Sequence, residues 1–388
     1  MRKIAVFTGT RAEYGLLYWI IRRLHESNDV ELCLMVGGAH LSPEFGYTVE
    51  QIDRDGFEIT ERLEFLMSSD SAVGVSKSMG LALISASESF ERCKPDLLVV
   101  LGDRFEAMAI VQAAMIACVP VAHIHGGEIT EGLIDEAVRH SITKMSHLHF
   151  ASTETYRKRI MQLGEEPSNV FNSGAPGIDS IFSLELLERS EVSDAVGFSL
   201  ETPYFVVTYH PVTLELDGAV FALENLLQVL SGYPNHKLII TYPNADTHGR
   251  RLIKVLEAYQ SQNANRVLLV QSLGQLRYLS LLKYCDLVIG NSSSGLIEAP
   301  TFGVPTINIG SRQKGRVAGE TVLHCGESVE SIREAMKTSL TKEFRENCKS
   351  AENPYGDGGA SQFIVEELIG HPLDNILSKR FCDMEPIE

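Results

Sequence analysis

Short apolar runs recur along the chain, most of them followed by a turn and a stretch with helical spacing. In the first half these are Ile4–Phe7, Val30–Val36, Asp96–Leu101, Val119–Ile124 and Leu148–Ser152, and the unit closes after Val170–Gly177. In the second they are Tyr204–Tyr209, Lys237–Thr241, Val267–Val270, Leu287–Ile289 and Thr306–Ile309. Most show no polar alternation, as suits parallel strands covered by helices on both faces. The pattern predicts two α/β units, residues 1–180 and 200–360, separated by a polar, less periodic linker from Ser183 to Pro203. Residues 361–388 form a C-terminal helix and tail, whose helix (Ala360 to Ile369) is expected to pack back on the first unit.

A chain of 388 residues with 44% hydrophobic content has enough material for two cores. Lys+Arg 34 against Asp+Glu 51 gives a net charge of −17, which argues against nucleic acid or an anionic membrane as partner. An anionic ligand must therefore meet a local basic pocket. The seven cysteines are scattered without CxxC or zinc spacing, no apolar run is long enough to span a bilayer, and no targeting signal is visible. The expectation is a cytoplasmic protein with reduced thiols and no metal.

In the second unit the stretch Gly290–Arg316, GNSSSGLIEAPTFGVPTINIGSRQKGR, has the layout of a phosphate-binding turn. A strand ends at Gly290, Asn291 to Ser294 offer capping side chains, and Gly295 permits close backbone approach before a helix beginning at Leu296. Ser292 and Ser293 are candidate phosphate donors, and Glu298, placed in the helix's first turn, is a candidate ribose acceptor. A capped turn of this kind is common in itself. Arg312, Lys314 and Arg316 follow the next strand at its carboxyl end, where open α/β sheets bind ligands, with a solvated basic loop as the competing reading of this segment. The arginine fork suits a diphosphate better than an ammonium does. His210 directly follows another strand, where a packed core histidine is the competing reading.

In the first unit Thr8–Gly15, TGTRAEYG, reads as a glycine-containing turn into a helix beginning near Leu16, with Arg11 a candidate phosphate ligand and a surface arginine the competing reading. Its spacing is not GxGxxG. Gly102-Asp-Arg-Phe-Glu106 puts Asp103 and Arg104 at a strand's carboxyl end, where Asp103 as a plain N-cap is the alternative. The next loop is dense in titratable groups: His123, His125, Glu128, Asp135 and Glu136 lie around Gly126-Gly127, close enough to converge on one site. Asp53-Arg-Asp55 reads as surface charge.

TGTRAEYG, GDRFEA, HIHGGEITEGLIDEAVRHSITK, TYHPVT, YPNAD, GNSSSGLIE and NIGSRQKGR occur in the order seen in hydrolysing UDP-N-acetylglucosamine 2-epimerases of bacterial sialic-acid-type pathways, which the chain resembles to about Gly359. The resemblance implies two Rossmann-like domains facing a cleft (GT-B type), with catalysis and the sugar on the first and UDP on the second. It implies no cofactor, a small-molecule UDP-sugar as partner, and a homodimer. The reaction would remove UDP by elimination across C1–C2, leaving a glycal to which water adds to give N-acetylmannosamine. Asp103, Asp135 and His210 match the family's catalytic motif; Arg11, Ser292, Ser293, Glu298 and Arg312 match UDP-holding positions, and Arg104 and Asn244 the sugar side. Relatives that include the mammalian enzyme carry Glu where this chain has His125, so either His125 or Glu128 supplies that proton transfer. A 2,4-diacetamido-2,4,6-trideoxy sugar is the alternative substrate. A GT-B glycosyltransferase and a non-catalytic nucleotide-sugar sensor are the other classes, and the acid–base cluster disfavours both.

Overall fold

A computed structural model describes residues 1–69, 71–130, 134–210, 216–243, 249–271 and 273–383. The chain divides into two units, Met1–Ser180 together with the residues from Tyr355 onward, and Ile181–Pro354.

The first unit holds seven parallel strands: β1 (Arg2–Thr8), β2 (Val30–Gly37), β3 (Glu61–Leu63), β4 (Leu97–Leu101), β5 (Val121–Ile124), β6 (Leu148–Ala151) and β7 (Val170–Asn172). Their order is β3-β2-β1-β4-β5-β6-β7. Successive side chains of a strand point to opposite faces. Accordingly Ile4 and Val6 enter one core with the helix Arg11–Glu26 and the final helix Ala360–Gly370, while Ala5 and Phe7 enter another with Ala72–Cys93 and Phe105–Ile116. The final helix is held at its start by Asp179, whose carboxylate accepts the backbone N–H groups of Ala360 (3.2 Å) and Ser361 (2.6 Å).

The second unit repeats the plan with β8 (Tyr204–Thr208), β9 (Lys237–Thr241), β10 (Val267–Val270), β11 (Leu287–Gly290), β12 (Thr306–Ile309) and β13 (Val322–Cys325), in the order β10-β9-β8-β11-β12-β13, again all parallel. In each sheet the order reverses between two central strands, β1 and β4 or β8 and β11. Loops leaving the carboxyl ends of such a pair diverge and leave room for a ligand.

Three local expectations are corrected. The first helix starts at Arg11 rather than near Leu16: Thr10 caps it by accepting the Glu13 N–H (3.3 Å). The segment expected as a linker contains the helix Arg189–Val196, opened by reciprocal bonds between Glu188 and Glu191, and its Val192 is fully buried in the second unit. Eight residues are too few for amphipathic spacing to stand out. The helix expected from Leu296 is instead one turn, Ser294–Ile297, followed by a 3₁₀ turn Ala299–Phe302. Pro300 explains the break, since its ring excludes a continuing α-helix. Among the described residues no helix is long and apolar enough to cross a membrane.

Candidate active site

At the β1/β4 junction two loops carry charged side chains. Glu13 folds back so that its Oε2 accepts the Gly9 N–H (3.1 Å) and the Thr10 hydroxyl (3.0 Å), bracing the turn that presents the exposed Arg11. Burial and then the neighbouring Glu106 push the Glu13 carboxyl up to about 7. Arg104, after β4, grips the buried Glu106 with two nitrogens (3.0 and 2.9 Å). Arg104 also sits in the field of Asp135, which lies in the first turn of the helix Ile134–Met145.

Asp103 does not cap the helix that follows it. Arg104 occupies that cap position, its side chain making no capping bond to the helix, and Asp103 pairs with Arg139. Arg139 is 1% exposed, a burial a guanidinium tolerates only when paired. It gathers the site: besides Asp103 it donates to the Glu128 carbonyl (3.0 Å), the Thr130 hydroxyl (2.7 Å) and Glu136 (3.4 Å). Glu136 also takes the Thr130 N–H (2.5 Å) and meets His140 (3.0 Å). The sequence reading passed over Arg139; the available signal was its spacing, three residues past Glu136 on the same helix.

The histidines of this loop part company. His123 is fully buried, its Nε2 2.7 Å from the Gly102 carbonyl and Nδ1 3.2 Å from the Thr143 hydroxyl. Burial lowers its pKa to about 3, so it is a neutral core residue bracing the turn before Asp103, and the expectation that it joins the titratable cluster is corrected. His125 lies at the edge of β5 with Nδ1 2.6 Å from Glu128 Oε1. Ser152, from the end of β6, donates to the same oxygen at 3.1 Å.

In the second unit the β8/β11 junction is built on Gly290, whose φ of 142° and closeness to β8 admit no side chain: a Cβ would lie 1.9 Å from the Thr208 carbonyl oxygen. The chain then turns into Asn291, expected as a capping residue. Its side chain instead takes the His210 N–H on Oδ1 (2.7 Å) and donates Nδ2 to the His210 carbonyl (2.8 Å). The Asn291 carbonyl accepts Arg312 (2.9 Å) and Gln313 (2.8 Å). One asparagine thus joins the loop after β8 to the basic loop after β12. Burial and the nearby Arg312 lower the His210 pKa to about 3, so its ring is neutral. Ser292 and Ser293 are half-buried, Ser294 accepts the Tyr278 hydroxyl (2.8 Å), and Arg316 is half-buried at the end of the basic loop. Glu298 stands at the end of the single helical turn rather than in a first turn. With one turn there is little helix dipole, so attraction for an anion must rest on local N–H groups and the arginines. Asn244 lies outside the described residues.

Two doubly wound parallel-sheet domains of this kind form the GT-B-like architecture. The crystal structure of the UDP-GlcNAc 2-epimerase from Neisseria meningitidis bound to UDP-GlcNAc shares it, with a TM-score of 0.82 and 23% identity, over 95% of this chain and 100% of that one. The family model for UDP-N-acetylglucosamine 2-epimerase matches residues 22–369. The chain is 38% identical over 384 residues, 99% of each protein, to the GDP/UDP-N,N'-diacetylbacillosamine 2-epimerase (hydrolyzing) of Campylobacter jejuni subsp. jejuni. It is 39% identical over 356 residues to the polysialic acid biosynthesis protein P7 of Escherichia coli, covering 92% of this chain and 90% of that one. The chain belongs to the UDP-N-acetylglucosamine 2-epimerase family.

Proposed function

We propose that the protein is a hydrolysing 2-epimerase that converts UDP-N-acetylglucosamine and water to N-acetylmannosamine and UDP, supplying the free sugar for sialic-acid-type surface sugars. The observation that carries this reading is the concentration of acid–base groups at the carboxyl edge of β4 and β5, Asp103 with Arg139 and His125 with Glu128, in a chain of this family. Transfer to an acceptor alcohol does not need such a set beside the sugar. Elimination across C1–C2 does, because a weakly acidic C2 proton must leave and water must then be added.

In this reading Asp103, Asp135 and the His125–Glu128 pair serve proton transfer around C1 and C2. Arg11, Ser292, Ser293, Glu298, Arg312 and Arg316 hold the uridine diphosphate, and Arg104 and Asn244 contact the sugar. His210, a neutral imidazole beside Arg312, serves the departing diphosphate as a hydrogen-bonding group. A second reading, the same chemistry on UDP-N,N'-diacetylbacillosamine, draws on the full-length similarity to the C. jejuni enzyme.

Proton NMR of the purified protein in D2O, with each UDP-sugar in turn, tests both. UDP with C2-deuterated N-acetylmannosamine supports the first reading. Turnover of the diacetamido sugar alone replaces it with the second. Release of UDP with GlcNAc carrying no deuterium overturns the epimerase reading.

A further inference from the structure

The loop after β5 is arranged around one imidazole. His125 has a φ of 64°, a left-handed conformation rare for a residue with a side chain. Its N–H is anchored on the Phe150 carbonyl (2.9 Å). The residues after it are held as firmly: the Gly127 carbonyl accepts Arg159 (2.5 Å) and the Glu128 carbonyl accepts Arg139 (3.0 Å). At Gly127 a Cβ would stand 2.4 Å from the Tyr156 carbonyl oxygen, so the loop cannot carry a side chain there without shifting.

This bracing presents the ring in one orientation. Nδ1 faces Glu128 Oε1 at 2.6 Å, and the Ser152 hydroxyl donates to that same oxygen. With a carboxylate on Nδ1, the neutral ring carries its proton there and leaves the lone pair on Nε2. Nε2 is buried in a residue 8% exposed, yet has no hydrogen-bond partner among the described residues. A buried imidazole nitrogen left without a partner is unfavourable, and strained backbone with an unmatched polar atom is characteristic of sites built for a reacting ligand.

We propose that His125, through Nε2, is the base that takes the C2 proton, and that Glu128 and Ser152 are positioning residues acting through it. This rests on the epimerase reading above. In the elimination the C2–H electron pair becomes the C1–C2 double bond, and the C1–O pair leaves with UDP. The proton becomes Nε2–H of an imidazolium whose positive charge is matched by the Glu128 carboxylate. In the second half-reaction the oxygen of water bonds C1 while a proton is delivered to C2 on the face opposite His125, which inverts that carbon, and the imidazolium gives its proton to solvent to restore the base.

The test uses the full-length protein, UDP-GlcNAc and the diacetamido sugar nucleotide, and the D2O assay. Glycine suits the left-handed backbone at this position, so His125→Gly should fold. It is expected to lose about 10²-fold or more in kcat, to keep UDP affinity within about threefold of wild type, and to regain turnover on addition of free imidazole. Glu128→Gln is expected to lower kcat at least about tenfold with KM near wild type, because the imidazolium loses its counter-charge. A His125→Gly variant that keeps wild-type kcat, or one that is inactive and not restored by imidazole while still binding UDP, overturns the proposal. So does Glu128→Gln with an unchanged kcat. Failure of the wild-type protein to turn over either sugar would refute the epimerase reading instead.

Discussion

Replacing Asn291 by alanine removes two hydrogen bonds of 2.7 and 2.8 Å to the main chain of His210, in a place where Asn291 is 1% and His210 7% exposed. The loss exceeds that of two surface bonds, because a buried N–H and a buried carbonyl are left behind. Each such group costs about 1–3 kcal/mol where water cannot replace the partner. Partial relaxation makes about 3 kcal/mol a reasonable total. For a unit of the size of Ile181–Pro354 this lowers the melting temperature by roughly 6–12 °C. Asn291→Asp keeps the acceptor for the His210 N–H but sets an acceptor against the His210 carbonyl, so it should fare no better. Ser292→Ala, at a half-buried neighbour whose hydroxyl receives only a 3.4 Å contact from the Ser294 N–H, is the control and should stay within about 0.5 kcal/mol of wild type. Scanning calorimetry reads the transition of this unit, and UDP titration reads its site, which should weaken as the turn relaxes. An Asn291→Ala protein melting within about 1 °C of wild type would refute the clamp.

Arg312→Ala is expected to weaken UDP binding by about 1–3 kcal/mol, the worth of a charge-assisted bond to phosphate; unchanged affinity by calorimetry would remove Arg312 from the diphosphate site. Asp103→Asn should abolish turnover and also lower stability by more than 1 kcal/mol, because Arg139 then keeps its buried charge without its nearest counter-charge. An inactive variant with unaltered melting would show that Arg139 is satisfied without it. Glu13 gives a pH signature: its pKa stands at about 7 in the folded chain against 4.5 unfolded. From about pH 4.5 to 7 the folded chain holds a proton the unfolded chain has released, so stability falls as pH rises, by up to roughly 3 kcal/mol. Glu13→Gln should therefore gain melting temperature relative to wild type as pH goes from 5 to 8. A constant difference across that range would contradict the buried carboxyl.

Much of the fold was legible because parallel strands buried on both faces read as uninterrupted apolar runs, and most of the sheet was marked out that way. The candidate site was legible as far as sheet geometry reaches: residues directly after a strand lie at its carboxyl edge whatever else the chain does. Asp103, His125, His210 and Ser292 all stand just past the ends of strands, at the edge where the sequence puts them. The capping pair Thr10 and Glu13 was readable too, and would have placed the first helix correctly.

Partners distant along the chain were decided only by the tertiary structure. Asn291 reads as one more capping residue until folding brings His210, 81 positions earlier, against its amide. Asp179 looks like an ordinary helix residue, yet it caps a helix 181 positions later. His123 and His125 are two residues apart in the same motif, and burial against the Gly102 carbonyl makes one a neutral brace while the other meets Glu128 and keeps a nitrogen unmatched. Local sequence sets propensities over a few residues, whereas burial and hydrogen-bond partnership depend on which segments packing brings together. The chemical role of a titratable side chain is therefore settled at the tertiary level.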